Sequence, residues 1–343
     1  MGYPKILSIA SDNPGMQFSQ MEVYELLNLD DDKQKKIFLN SHIESRYLSL
    51  PDTDELQESS LQLWHKHKNT AVESAKKVVL EAINKCDLSV EHIDYIACVT
   101  STGFLCPGIS ALLTKSLKLR SSIHRMDIVG MGCNAGLNAI QPIVNFCRLN
   151  PDKVGILVCV EICSAIYSND RTTNSAVVNS LFGDGAVAVV IGHDDSNLLL
   201  PKIIDFESLI LTDYIDSMKY NFDGNRFSFF LEKEIPFVIG RNVSIPVDKI
   251  LERNNLKVDQ IDHWIIHSGG KKVIDAIRSQ LGLHEYHVRH TLSVLSECGN
   301  LSSGSFLFSL EKLLNEGVVK KGEKIMMITM GPGTSIECCL ASL

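Results

Sequence analysis

Paired CxxC spacings are missing from this 343-residue chain, although it holds ten cysteines. The thiols stand at 86, 98, 106, 133, 147, 159, 163, 298, 338 and 339, mostly inside apolar patterns. That spacing argues against a zinc site and for reduced thiols in a cytosolic protein. A basic excess is missing as well. The net charge of −8 leaves only small basic clusters at 33–36 and 115–120, which provide no footprint for nucleic acid. No early segment joins a basic start to an apolar run and a small-residue cleavage site, and MGYPKI lacks the Ser or Thr of a myristoylation signal. The most apolar stretches, 154–167 and 186–192, fall short of the roughly 20 residues a bilayer span needs, and Glu161 interrupts the first. They read as buried strands. The expectation is a cytoplasmic protein with neither a membrane nor a nucleic-acid partner.

What is present is material for a large core, 45% hydrophobic side chains against 22% charged, and an internal echo. Val90-Glu-His-Ile-Asp-Tyr-Ile recurs as Val258-Asp-Gln-Ile-Asp-His-Trp, 168 residues later. After each copy come a Gly-rich turn, an amphipathic helix, a strand (154–160 or 324–329), a glycine pair and a last strand. The pairs, Gly183-Asp-Gly185 and Gly331-Pro-Gly333, are only 148 apart. The reading is a duplicated α/β unit, halves 1–200 and 201–343, whose first copy carries about twenty extra residues near 163–180. Such an insert is expected as an exposed excursion, at a partner subunit or over the active site. Alternating strands and helices call for helices packed on mixed sheets.

Three residues carry chemistry. Met131-Gly-Cys133-Asn-Ala-Gly-Leu-Asn-Ala follows an apolar run, 126–129, and opens a helical pattern with Leu137, Ile140, Ile143 and Val144 on one face. Cys133 therefore sits where a strand turns into a helix, where N–H groups and the helix dipole favour a thiolate. Gly132 and Gly136 are expected to let the backbone crowd close to a substrate. The bland alternative is a buried structural cysteine. His267, in Trp264-Ile-Ile-His267-Ser-Gly-Gly270, ends a buried strand before a helix beginning near Lys272, a usual place for site residues in α/β folds. A neutral imidazole there can take a proton or donate to an oxyanion; a satisfied core histidine is the plain reading. Asn300 lies 33 residues after His267, as Cys133 lies 33 after Thr100. The duplication thus places Asn300 at the mate of the Cys133 turn.

Gly132-Cys133-xx-Gly136, Leu181-Phe-Gly-Asp-Gly-Ala186, His267-x-Gly-Gly270, Gly299-Asn-Leu-Ser-Ser303 and Gly331-Pro-Gly333 together, in this order, resemble the type III polyketide synthases of the chalcone and stilbene synthase kind. Arg226-Phe-Ser-Phe-Phe-Leu231 and the segments from His267 and Asn300 look most like a bacterial branch that builds 3,5-dihydroxyphenylacetyl-CoA. The resemblance implies a duplicated thiolase-like αβαβα fold, mixed sheets with helices between and outside. It implies iterative decarboxylative condensation with malonyl-CoA as both starter and extender, or with another acyl-CoA as starter, and ring closure without metal or other cofactor. On that reading Cys133 holds the chain as a thioester while His267 and Asn300 hydrogen-bond the carbonyl of malonyl-CoA. Phe182 matches the family's gate, against the alternative of an ordinary core aromatic. Cys163, Ile166 and Met330 match cavity positions, and Lys33 and Lys36 fall near the coenzyme A phosphate contacts, where Asn40 replaces a common third cation. The resemblance also implies a homodimer, with Met131 near the neighbouring cavity, and dehydratase-like helper enzymes.

Rival readings share parts of this pattern. Papain-like proteases also run Cys, His, Asn, but the Cys-Gly-Ser-Cys-Trp kind of signature is absent around Cys133. Hydroxymethylglutaryl-CoA synthases need a glutamate acid, and none is placed convincingly before Cys133. β-Ketoacyl-carrier-protein synthase III shares all three residues and would condense once. A non-catalytic partner of another condensing enzyme would lose the cysteine.

Overall fold

A computed structural model describes residues 2–29, 31–50, 58–167, 170, 172–196, 198–222 and 227–343. The first half runs β1 (Lys5–Asp12), β2 (Met16–Ser19), α1 (Gln20–Leu26), α2 (Asp32–Leu39), β3 (Ser45–Leu48), α3 (Ser60–Lys85) and β4 (Ile93–Thr100). It continues through α4 (Ile109–Ser116), β5 (His124–Val129), α5 (Ala135–Leu149), β6 (Val154–Glu161), α6 (Thr173–Leu181) and β7 (Gly185–Gly192). The second half runs β8 (Lys202–Ile210), β9 (Met218–Phe222), β10 (Phe227–Leu231), α7 (Ile235–Asn242), α8 (Ser244–Arg253) and β11 (His263–Ile266). It ends with α9 (Lys271–Gln280), α10 (Arg289–Cys298), α11 (Ser305–Glu316), β12 (Lys324–Gly331) and β13 (Ser335–Ser342). The boundary at residue 200 falls between β7 and β8. Arg226 lies outside the described residues.

The pairings repeat. β4 lies parallel to β6, which is antiparallel to β7, itself antiparallel to β1. Likewise β11 lies parallel to β12, antiparallel neighbours β13 and β8 following. The two sheets are not separate. β1 meets β8 at the single pair Lys5 and Lys202, and one nine-stranded sheet results, β11-β12-β13-β8-β1-β7-β6-β4-β5. β6 and β7 are apolar almost throughout because helices cover both faces, as buried parallel and mixed sheets require. α5 contacts β4, β6 and β7 of its own half and β12 and β13 of the other. Its Leu137, Ile140, Ile143 and Val144 are all buried, each worth about 1.5–3 kcal/mol of apolar transfer. α3 and α4 cover the outer face of the first half, and α7, α8 and α9 belong to the core cluster of the second.

The structure shifts the register of the duplication. The turns at Gly132 and Ser302, the helix starts at Ala135 and Ser305, and the strand starts at Val154 and Lys324 are each 170 residues apart. Asn300 is therefore the mate of Gly130, and the mate of Cys133 is Ser303. The whole turn is duplicated as expected, but the functional side chains sit three positions apart within it. The insert also differs from the expected exposed excursion. Cys163, Ser164 and Ala165 are buried, and α6 packs on α2 and β10. Its burial has a plain cause: Ser175, Ala176, Val178, Asn179 and Ser180 all face inward.

Candidate active site

Cys133 is buried in the 3-10 turn Gly132–Asn134 that leads from β5 into α5. Gly132 holds φ +73, and a Cβ there would stand 2.2 Å from the Cδ of Pro332. A Cβ on Gly136 would stand 2.2 Å from the carbonyl oxygen of Ser303. These glycines thus admit the turns of the other half, rather than a substrate as the sequence suggested. Gly331 in turn crowds Asn134, whose amide donates to Ser335 Oγ at 2.8 Å. The end of β12 is thereby fastened to the Cys133 turn. Because β11 runs parallel to β12, His267 at the end of β11 emerges on the same side.

The thiol of Cys133 lies 3.6 Å from Ser302 Oγ. Asn300 Oδ1 accepts from the Ser302 N–H at 2.8 Å and from Ser305 Oγ at 3.5 Å. With its oxygen so engaged, Asn300 has only its N–H donors to offer. Its backbone is clamped by the segment that closes α6: Asn300 N–H donates to Leu181 O at 2.8 Å, and Gly183 N–H donates to Asn300 O at 3.0 Å. The three-residue segment 181–183 therefore carries Phe182 and fixes Asn300 at once.

Burial dominates the electrostatics. It pushes the Cys133 thiol up to about 12, against the downward pull of Ser302 and Asn300 and with a further upward push from the nearby Glu161. The expected thiolate is therefore not the form of the free protein; desolvation outweighs the helix start. Burial also lowers His267 to about 3, so its imidazole is neutral. His267 Nδ1 is buried without a hydrogen-bond partner among the described residues.

Around these groups, Cys133, Cys163, Phe182, Phe229 and Met330 belong to one buried apolar cluster. Phe182 meets Phe229 edge to face at 5.7 Å, and Ile166 is half-buried at the end of the turn Cys163–Ile166. Met330 Sδ and the His267 ring both border Gly269, whose Cβ would stand 3.9 Å and 3.1 Å from them. Lys33 and Lys36 are not brought to this cluster. Both are exposed on α2, which packs on α6 behind Phe182. Among the described residues no group of three His, Cys, Asp or Glu side chains gathers to hold a metal ion, and no helix is long and apolar enough to cross a membrane.

Sequence reasoning missed Glu161. This fully buried carboxylate accepts from the Ser303 hydroxyl at 2.5 Å and from Ser101 N–H at 2.8 Å. Burial raises its pKa. It ties the end of β6 to the turn that carries Asn300 and Ser302. The signal was a lone acid in the apolar strand VGILVCVE, because a charged group is kept in such a run only where partners await it.

Residues 25–195 match the chalcone and stilbene synthases, N-terminal domain. Residues 251–343 match the 3-oxoacyl-[acyl-carrier-protein] synthase III C-terminal domain. The chain is 43% identical to a 3,5-dihydroxyphenylacetyl-CoA synthase of Streptomyces toyocaensis over 98% of this chain and 89% of that protein. It is 44% identical to one of Amycolatopsis balhimycina, over 94% and 88%. The crystal structure of PKS-I from the brown alga Ectocarpus siliculosus superposes with TM-score 0.93 and 27% identity, covering 100% of this chain and 98% of that one. The duplicated fold, the paired turns and these likenesses agree: the chain belongs to the chalcone and stilbene synthase family, the type III polyketide synthases, which are condensing acyltransferases.

Proposed function

We propose that this enzyme decarboxylates malonyl-CoA and extends an acyl chain carried on Cys133, with His267 and Asn300 as the oxyanion donors. The observation that supports it most is the meeting of the Cys133 thiol with the Asn300–Ser302 turn, from opposite halves of the chain, at 3.6 Å from Ser302 Oγ. Neutral His267 and the Asn300 amide then hydrogen-bond the thioester oxygen of malonyl-CoA. Loss of carbon dioxide places the electron pair on that oxygen as an enolate, where preorganised donors act most strongly. The enolate carbon attacks the Cys133 thioester, a carbon–carbon bond forms, and the cysteine leaves as thiolate. With a thiol near 12 and an imidazole near 3, no thiolate–imidazolium pair is poised beforehand. The thiol of Cys133 attacks an incoming acyl-CoA, the bond to coenzyme A breaks, and the Cys133 proton passes through His267 to the departing coenzyme A sulfur, which leaves the imidazole neutral.

Repetition and ring closure give an aromatic polyketide, with 3,5-dihydroxyphenylacetyl-CoA as the proposed product. Phe182 is the proposed gate, Cys163, Ile166 and Met330 the cavity wall, and Lys33 and Lys36 the coenzyme A phosphate contacts. Only protein groups and coenzyme A thioesters enter this scheme. Another acyl-CoA starter and dehydratase-like helper enzymes belong to the same proposal. So does homodimerisation, which the exposed sheet edge at β5, with Val129 44% exposed, supports. Ten free cysteines fit a reducing compartment such as the cytosol.

Purified protein incubated with malonyl-CoA alone, followed by mass spectrometry of thioesters and released aromatics, tests the scheme. An aromatic built from four malonyl units supports it. The match of residues 251–343 to synthase III favours one other reading, a single condensation. A product extended once, formed only with an added acyl-CoA or carrier protein, would establish that reading instead.

A further inference from the structure

We propose that Tyr167 is the positioning residue that sets the passage at Phe182, an inference that rests on Phe182 acting as the gate. Tyr167 is buried at the end of the turn Cys163–Ile166, and its hydroxyl donates to the carbonyl oxygen of Phe182 at 2.5 Å. The neighbouring backbone is already committed. Phe182 N–H donates to Val178 O, Leu181 O accepts from Asn300, and Gly183 N–H donates to Asn300 O. The Phe182 carbonyl is thus satisfied by a side chain from the insert, and the hydroxyl ties the proposed cavity wall to the proposed gate.

The space beside the segment is filled. The stem of Arg46 runs past Gly183 and Gly299, at 3.2 Å and 3.7 Å from where their Cβ atoms would stand. Its guanidinium is fully buried and has no hydrogen-bond partner among the described residues. A phenylalanine at 167 keeps the ring volume and removes one donor. The buried Phe182 carbonyl is then unpaired, a state backbone rotation relieves. That rotation carries the Phe182 ring off Phe229, against which it now stands at 5.7 Å. A wider passage admits larger groups to Cys133 while small ones enter as before.

The test reads the passage without turnover. Full-length protein, its Tyr167→Phe variant and a Phe182→Ala control are alkylated with iodoacetamide or with the bulky N-(1-pyrenyl)maleimide, and modification of Cys133 is followed by peptide-resolved mass spectrometry. Tyr167→Phe is expected to raise the large-to-small rate ratio about tenfold, the equivalent of one lost buried hydrogen bond, and Phe182→Ala to raise it further. A raised ratio in Phe182→Ala with none in Tyr167→Phe overturns the role of Tyr167 alone. An unchanged ratio in both sinks the gate itself. Equal changes for both reagents, or a Tyr167→Phe protein that does not fold, make the hydroxyl merely structural and overturn the proposal as well.

Discussion

The Cys133 turn and its copy at Asn300 are built on one plan and present different side chains. Each is a 3-10 turn opening a buried helix, with a residue of positive φ at the same place, Gly132 at +73 and Ser302 at +48. The first follows a strand, β5, and presents a thiol. The second follows a helix, α10, and presents an amide whose oxygen is spent inside its own turn. Duplication supplied two equivalent helix starts facing each other, and in the proposed scheme divergence made one the nucleophile's place and the other the donor's. The left-handed position shows the cost of the difference. Gly132 adopts it freely, whereas Ser302 is strained there and holds its hydroxyl against the Cys133 sulfur.

Cys133→Ala breaks the comparison most completely. Product from malonyl-CoA should fall by more than about 10³-fold, since no covalent intermediate forms; retained multi-step product by mass spectrometry would falsify the nucleophile assignment. Asn300→Ala should slow malonyl-CoA decarboxylation by about 10²–10³-fold, the usual cost of one oxyanion donor. Released carbon dioxide is the measurement, and a normal rate removes Asn300 from that role. The third prediction sets burial against the helix start. A Cys133 thiol raised to about 12 is protonated at neutral pH, and its thiolate fraction grows as pH rises. Iodoacetamide modification of Cys133 should therefore accelerate about tenfold per pH unit from 7 to 10, and a plateau near pH 8 would show that the helix start wins.

The smallest effects lie in the two left-handed positions. Gly132→Ala adds strain and a clash with Pro332, and should lower stability by about 2–4 kcal/mol in denaturant unfolding. Ser302→Gly relieves strain of about 1 kcal/mol and loses one weak contact, so its stability should stay near wild type. Equal losses in both would show that Ser302 carries no strain at its left-handed position.

Much of this was legible because apolar periodicity and glycine placement are local. The order of strands and helices, the helix after Cys133 and the strand before His267 all follow from patterns a few residues long. The duplication was legible through the echo at Val90 and Val258, but only coarsely. The offset is 168 at that echo, 167 between Thr100 and His267, and 170 at the turns, so counting residues from Thr100 and His267 aligned Asn300 with Cys133 when its true mate is Gly130. Glu161 and Ser303 were missed because they meet across 142 residues of chain, and Tyr167 because nothing near it reveals that its hydroxyl reaches the Phe182 carbonyl.

By itself the sequence determined which residue types this protein has available and in what order: a cysteine at a helix start, a histidine at a strand end, an asparagine in the repeated turn. Those depend on periods of two and 3.6 residues and on backbone freedom at glycine, which short segments encode. The tertiary structure decided their protonation and their contacts. Burial, which no short segment encodes, raises the thiol and neutralises the imidazole, and the meeting of two turns from opposite halves brings Cys133 against the turn of Asn300 and Ser302.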